Sequence, residues 1–137
     1  NTANGSGGGI YCVGGTISGT VSSNTATNGG GVYSEGDLTI TGTVSKNTAT
    51  SDGGGVYVKG DFTASGGKIS GNKASGKGGG VYMSGGDSRK ITLSGGAIIA
   101  SNTGARADNG EAICKDFGYG VNYNGNNGKN NGFLFAR

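Results

Sequence analysis

The sequence predicts an all-β fold: a right-handed parallel β-helix, or β-solenoid, of about four to five coils followed by a C-terminal aromatic β tail. Three observations carry this. A glycine-rich segment recurs as Gly7-Gly8-Gly9-Ile10-Tyr11, Gly29-Gly30-Gly31-Val32-Tyr33, Gly53-Gly54-Gly55-Val56-Tyr57 and Gly78-Gly79-Gly80-Val81-Tyr82, with steps of 22, 24 and 25 residues between the aliphatic positions. A second marker keeps the same phase, as Asn1-Thr2-Ala3, Asn24-Thr25-Ala26, Asn47-Thr48-Ala49, Asn72-Lys73-Ala74 and Asn102-Thr103-Gly104. Between the markers, apolar and polar residues alternate, as in Leu38-Thr39-Ile40-Thr41, Phe62-Thr63-Ala64-Ser65 and Ile91-Thr92-Leu93-Ser94. Period two is the pattern of a strand, not of a helix.

Each period then holds three short strands joined by Gly and Asn turns. The first is Val32-Tyr33-Ser34 and its equivalents, the second runs from Leu38 to Thr41, and the third is Thr43-Val44-Ser45 ahead of the Asn. Coils of this kind stack at roughly 4.8 Å, and parallel crossovers are right-handed by strong preference. Alternation turns Ile10 with Cys12, Val32 with Ser34, Val56 with Val58 and Val81 with Met83 inward. On the second strand Leu38 with Ile40, Phe62 with Ala64 and Ile91 with Leu93 point in, while Val21, Val44, Ile69 and Ile99 fill a third interior column. Tyr11, Tyr33, Tyr57 and Tyr82 then form an outward column, one per coil.

A degenerate fifth copy, Gly110-Glu111-Ala112-Ile113-Cys114, follows after 32 residues. The repeats therefore occupy residues 1–114, leaving 115–137 as a capping or assembly segment. In that segment Phe117, Tyr119, Val121 and Tyr123 alternate, an Asn/Gly loop follows, and Phe133-Leu134-Phe135 ends the pattern. Cys12 and Cys114 fall about four coils apart, on the order of 19 Å, which is too far for an intramolecular disulfide.

Composition narrows the chemistry. The chain has no His, which removes the His-containing triads and metal sites. Its formal net charge is +3, with Lys and Arg scattered along the chain, so no nucleic-acid track is expected. No apolar run reaches the length of a membrane-spanning helix. The acids stand at corners or in insertions, not as a pair beside a groove, so no catalytic residues, no metal and no cofactor are expected. Asp37 and Asp61 occupy equivalent corners one coil apart, where a Ca²⁺ site competes with the simpler reading of solvated turn residues. Asn24, Asn47, Asn72 and Asn102 are expected to form a side-chain ladder or to hold left-handed turns. The Tyr column could stack saccharide rings. The columns Thr16, Thr39, Thr63 and Thr92, beside Ser18, Thr41, Ser65 and Ser94, suggest a hydroxyl array able to bind ice, although Thr is favoured on exposed strands in any case.

Gly53-Gly54-Gly55-Val56-Tyr57 followed by Thr63-Ala64-Ser65-Gly66-Gly67-Lys68-Ile69-Ser70-Gly71-Asn72 resembles the glycine-rich repeat of polymorphic outer membrane proteins and related right-handed β-helix repeats of bacterial autotransporter-like adhesins. The resemblance covers about residues 1 to 114. It implies a secreted or surface-exposed protein that serves in adhesion or as a stalk and is not an enzyme. The first function expected is thus a non-enzymatic extracellular structural subunit, with glycan binding on the Tyr column second and ice binding third. The repeat opens at Asn1, in mid-period, with no charge or Pro on the first coil to block its edge. Head-to-tail stacking through Asn1 and Ile10 at one end and Phe117, Tyr119, Tyr123, Phe133 and Phe135 at the other is therefore expected. The partner is then a second copy of the chain or further repeats, with a glycan or host surface as a further possibility.

Overall fold

The computed structural model describes residues 1–84, 89–104, 113–115 and 121–123. The first period contributes β1 (Ile10–Cys12), β2 (Gly15–Ile17), β3 (Thr20–Ser22) and β4 (Thr25–Ala26). The second holds β5 (Val32–Ser34), β6 (Leu38–Ile40), β7 (Thr43–Ser45) and β8 (Thr48–Ala49), and the third β9 (Val56–Val58), β10 (Phe62–Ser65), β11 (Lys68–Ser70) and β12 (Lys73–Ala74). Next come β13 (Val81–Met83), β14 (Ile91–Ser94) and β15 (Ile98–Ala100), then β16 (Ile113–Lys115) and β17 (Val121–Tyr123). No helix occurs among the described residues.

Every strand pairs in parallel with its counterpart one period away, and the result is a β-solenoid. Its first sheet runs β1-β5-β9-β13-β16, its second β2-β6-β10-β14-β17, its third β3-β7-β11-β15 and its fourth β4-β8-β12. The fourth sheet corrects the expectation of three strands per period. The marker Asn-Thr-Ala is not only a turn, because its Thr and Ala pair from coil to coil as Thr25↔Thr48 and Ala26↔Ala49. Two residues are too few for an alternation to be read. At the other end β17 pairs with β14, with Ile91 opposite Val121 and Leu93 opposite Tyr123. Tyr123, assigned by sequence to the tail, thus lies on a strand that extends the second sheet.

The interior is the set of inward columns. Val32, Val56, Val81 and Ile113 are wholly buried, as are Ile40, Phe62, Ile69, Ile91, Leu93 and Ile99. Each such side chain contributes about 1.5–3 kcal/mol by leaving water. The first coil is less closed: Ile10, Cys12 and Ile17 are only partly buried, though packed on the same core.

The three glycines of the repeat have three different reasons. The first needs a left-handed backbone, with φ of 61° at Gly29 and 69° at Gly53, a region that costs an L side chain roughly 1–2 kcal/mol. At the second, a Cβ would collide with backbone carbonyls of the neighbouring coil, those of Thr48 and Gly54 in the case of Gly30. At the third it would meet the marker asparagine: a Cβ on Gly31 would stand 2.8 Å from Asn47 Nδ2 and 2.8 Å from the Gly55 oxygen. The two sequence markers are in phase because they touch.

Gly31→Ala is therefore expected to lower stability by about 1–3 kcal/mol through overpacking. Gly5→Ala, where a Cβ would meet nothing within 4 Å, should stay within about 0.5 kcal/mol. Denaturant melts of the two variants check the contrast.

Candidate functional site

Axial columns gather most of the polar and aromatic side chains singled out by the sequence. The asparagine column is the most deeply set. Asn24, Asn47, Asn72 and Asn102 are all buried, and each amide is bonded to the next. Asn24 Nδ2 donates to Asn47 Oδ1, Asn47 Nδ2 to Asn72 Oδ1, and Asn72 Nδ2 to Asn102 Oδ1, each at 3.0 Å. The backbone N–H of each also donates to the same Oδ1, again at 3.0 Å. The second hydrogen of each amide goes back to the third strand of the preceding coil, from Asn47 to the Val21 oxygen and from Asn72 to that of Val44. In Asn47 and Asn72 two acceptor sites and two donors are thereby all used, which is what a buried amide requires. The residue before each asparagine is left-handed: Ser23 and Lys46 at φ 57°, Gly71 at 65° and Ser101 at 56°. That turn aims the amide inward. The ladder also has a direction, with Oδ1 facing the N-terminal side and Nδ2 the C-terminal side throughout.

The tyrosines form a second column. Ring centroids are 5.1 Å apart for Tyr11 and Tyr33, 4.8 Å for Tyr33 and Tyr57, and 5.0 Å for Tyr57 and Tyr82. The rings lie outside the coil interior, yet Tyr33 and Tyr82 are buried and Tyr57 half-buried, while Tyr11 is 58% exposed. A coil step near 4.8 Å is close to ring-stacking distance, so Tyr11, Tyr33 and Tyr57 stack face to face at interplanar angles of 14° and 18°, while Tyr82 is tilted by 50° against Tyr57. The column is outward as expected, with Tyr11 its most exposed ring.

Beside this column the Tyr11 hydroxyl donates to Glu35 Oε1 at 2.7 Å, and Lys59 Nζ donates to Glu35 Oε2 at 2.8 Å. The Lys59 ammonium also sits 5.6 Å from the centre of the Tyr33 ring. The bond to Glu35 raises the Tyr11 phenol above its usual pKa. Hydrogen bonds from Lys59 and then Tyr11 hold the Glu35 carboxyl low. The bond to Glu35, with a smaller part from Tyr33, holds Lys59 high. The group staples three coils at the surface, where such pairs contribute little in water.

The acidic corners are engaged along the axis as well. Asp37 Oδ1 accepts the Asp61 N–H at 2.8 Å, and Asp61 Oδ1 accepts the Lys90 N–H at 2.9 Å. Asp52 Oδ1 accepts the Lys77 N–H at 2.7 Å. No group of three or more His, Cys, Asp or Glu is placed to hold a metal among the described residues. Nor is any helix there long and apolar enough to cross a membrane.

Of the residues expected at an assembly interface, Asn1 is exposed and its Nδ2 donates to Asn24 Oδ1 at 3.2 Å. Ile10 is half-buried at the rim of a recess of about 260 Å³ whose wall includes Val21 and Asn24. Phe117, Tyr119, Phe133 and Phe135 lie outside the described residues. One cluster was missed. Lysines read as scattered are brought near one another by the winding: Lys46, Lys68 and Lys73, all exposed, lie along the third and fourth sheets and the corner between them. Aligning the periods on their asparagines would have found it. Compared with models of protein families, with curated proteins and with solved structures, the chain matches none.

Asn47→Ala leaves the Asn24 N–H and Nδ2 without their acceptor and removes the amide from the Val21 carbonyl. Buried unpaired groups cost about 1–3 kcal/mol each, so a loss of at least about 3 kcal/mol is expected in equilibrium unfolding. Glu35→Gln should bring the Tyr11 phenol down toward its ordinary value. Ultraviolet titrations with and without Tyr11→Phe isolate that phenol. The sign for stability differs between the partners: the Glu35 contribution is lost as pH falls through its depressed value, and the Lys59 contribution as pH rises through its raised one.

Proposed function

We propose that this chain is a non-enzymatic structural protein, a β-solenoid subunit of a bacterial surface stalk, adhesin or head-to-tail filament, working outside the cell or on its surface. One observation carries the reading: the asparagine, corner-aspartate and tyrosine side chains singled out in the sequence are engaged along the axis. The asparagine amides, the Asp37, Asp52 and Asp61 carboxylates and the tyrosine rings all have a counterpart in the next coil as their partner. Such columns convert residues into axial cohesion, which is the task of a stalk. The likeness of the Gly-Gly-Gly-Val-Tyr repeat to those of polymorphic outer membrane proteins and autotransporter-like adhesins supports the same reading and supplies the surface location.

The ladder's direction favours head-to-tail over head-to-head contact. An end presenting Oδ1 complements an end presenting Nδ2, whereas two like ends set acceptor against acceptor. A heterologous contact of this kind propagates rather than closes. The glycan reading has Tyr11 as its one well-exposed ring, and no separate observation favours ice binding by the Thr/Ser columns.

Electron microscopy and light scattering of the 137-residue chain test the proposal. Thin rods that lengthen with concentration are expected, and deletion of residues 115–137 should shorten or abolish them. A chain that stays monomeric at high concentration would sink the filament and put a stand-alone binding module in its place.

A further inference from the structure

Carboxylates are confined to part of the coil's circumference, where they share their corners with Lys59, Lys77, Arg89 and Lys90. Glu35, Asp37 and Asp61 stand between the first and second strands of their periods, and Asp52 follows the fourth strand of its own. The stretch from the third strand through the fourth carries no carboxylate in any described period, yet it holds Lys46, Lys68 and Lys73. Register places them around one spot. Lys68 lies opposite Thr43, and Lys73 opposite Thr48. Lys46 occupies the left-handed position that Gly71 fills one coil on: its N–H donates to the Ser70 oxygen at 3.2 Å, and a Cβ on Gly71 would stand 3.9 Å from Lys46 Cγ. Lys68 and Lys73 are three and two residues from Gly71, within about 10 Å of chain. Three exposed lysines thus stand close to a bare glycine, and none of them forms an ion pair among the described residues.

We propose that this corner is a binding surface for an acidic polysaccharide, a glycan bearing sulfate or carboxylate groups. Charge complementarity selects an anion, and unpaired exposed cations attract it at low salt. The surroundings select the kind of anion. Thr43, Ser45, Thr48 and Ser70 flank the lysines with hydroxyls, which suit the hydroxyls of a sugar chain. The described strands of the third and fourth sheets carry no aromatic residue, whereas single-stranded nucleic acid is held by base stacking on such rings as well as by charge. Two short strands meeting at a corner offer a strip for an extended polymer. The surface lies on the side of the coil, so it holds whether or not the ends assemble.

Heparin is the probe, a sulfated polysaccharide tested against the full chain by affinity retention and calorimetry over a salt series. The repeat itself supplies mild substitutions, since the equivalent positions hold Ser23, Thr43 and Thr48. Lys46→Ser, Lys68→Thr and Lys73→Thr together should weaken binding about tenfold or more and flatten its salt dependence. Lys77→Gln, Arg89→Gln and Lys90→Gln together remove the same net charge and should change affinity less than about twofold, well inside the tenfold step that 1.4 kcal/mol represents. Matching circular dichroism and melting of the two triple variants confirms that both fold. Equal losses in the two variants, or failure of the unmodified chain to bind heparin at low salt, would overturn the proposal. So would lysine-dependent binding of poly(dT) or of anionic phospholipid vesicles as tight as that of heparin.

Discussion

A buried amide that must be satisfied by its own counterpart one coil away is the constraint from which the rest of this repeat follows. Each asparagine of the ladder is buried, and an unpaired amide there is costly. Satisfaction demands an asparagine at the same height in every coil, a left-handed residue before it and a glycine beside it whose missing Cβ leaves the amide room. Those demands account for both markers and for their common phase. They leave the remaining turns free, and the ladder partners are 23, 25 and 30 residues apart in successive coils. The extra residues of the longest step lie between strands, where no ladder bond is disturbed.

The inward columns of the first two sheets are held to a looser rule, that of burial without fixed identity. Where the second coil places Ser34, Leu38 and Ile40 inside, the third places Val58, Phe62 and Ala64, and the fourth Met83, Ile91 and Leu93, all buried. Phe62 is set against the small Ala64, and Ser34 sits with two large aliphatics. Cores tolerate such exchanges when total volume is kept. The buried asparagine repeats faithfully along this solenoid while apolar identity drifts, because a hydrogen bond needs a particular partner and a packed methyl group needs only a neighbour of suitable size.

Much of this architecture could be read in one dimension. Alternation over three or four residues identified the inward columns, and recurrence identified the stacking partner of each one. What could not be read required distances or registers. The Thr25-Ala26 strand is too short to alternate. The burial of Tyr33 follows from the closeness of coil spacing to ring-stacking distance, not from residue type. The Glu35–Lys59 pair is 24 residues apart in sequence and joins the same position of neighbouring periods, where a Glu is replaced by a Lys that the recurrence of the repeat does not announce. Lys46, Lys68 and Lys73 look dispersed until the chain is wound. In each case the missing information is what lies beside a residue in the next coil, which an alignment of the repeat with itself supplies only in part.

The uniform direction of the asparagine ladder has an evolutionary meaning. A stretch of chain cut from one asparagine to the next begins with the same acceptor and ends with the same donor as any other such stretch. Duplicating or deleting it leaves every junction chemically whole. Length becomes a quantity that unequal exchange between repeats in the gene can adjust by whole coils, while the cross-section of the rod stays the same. A lineage can lengthen or shorten the molecule in single steps, without first evolving a new core.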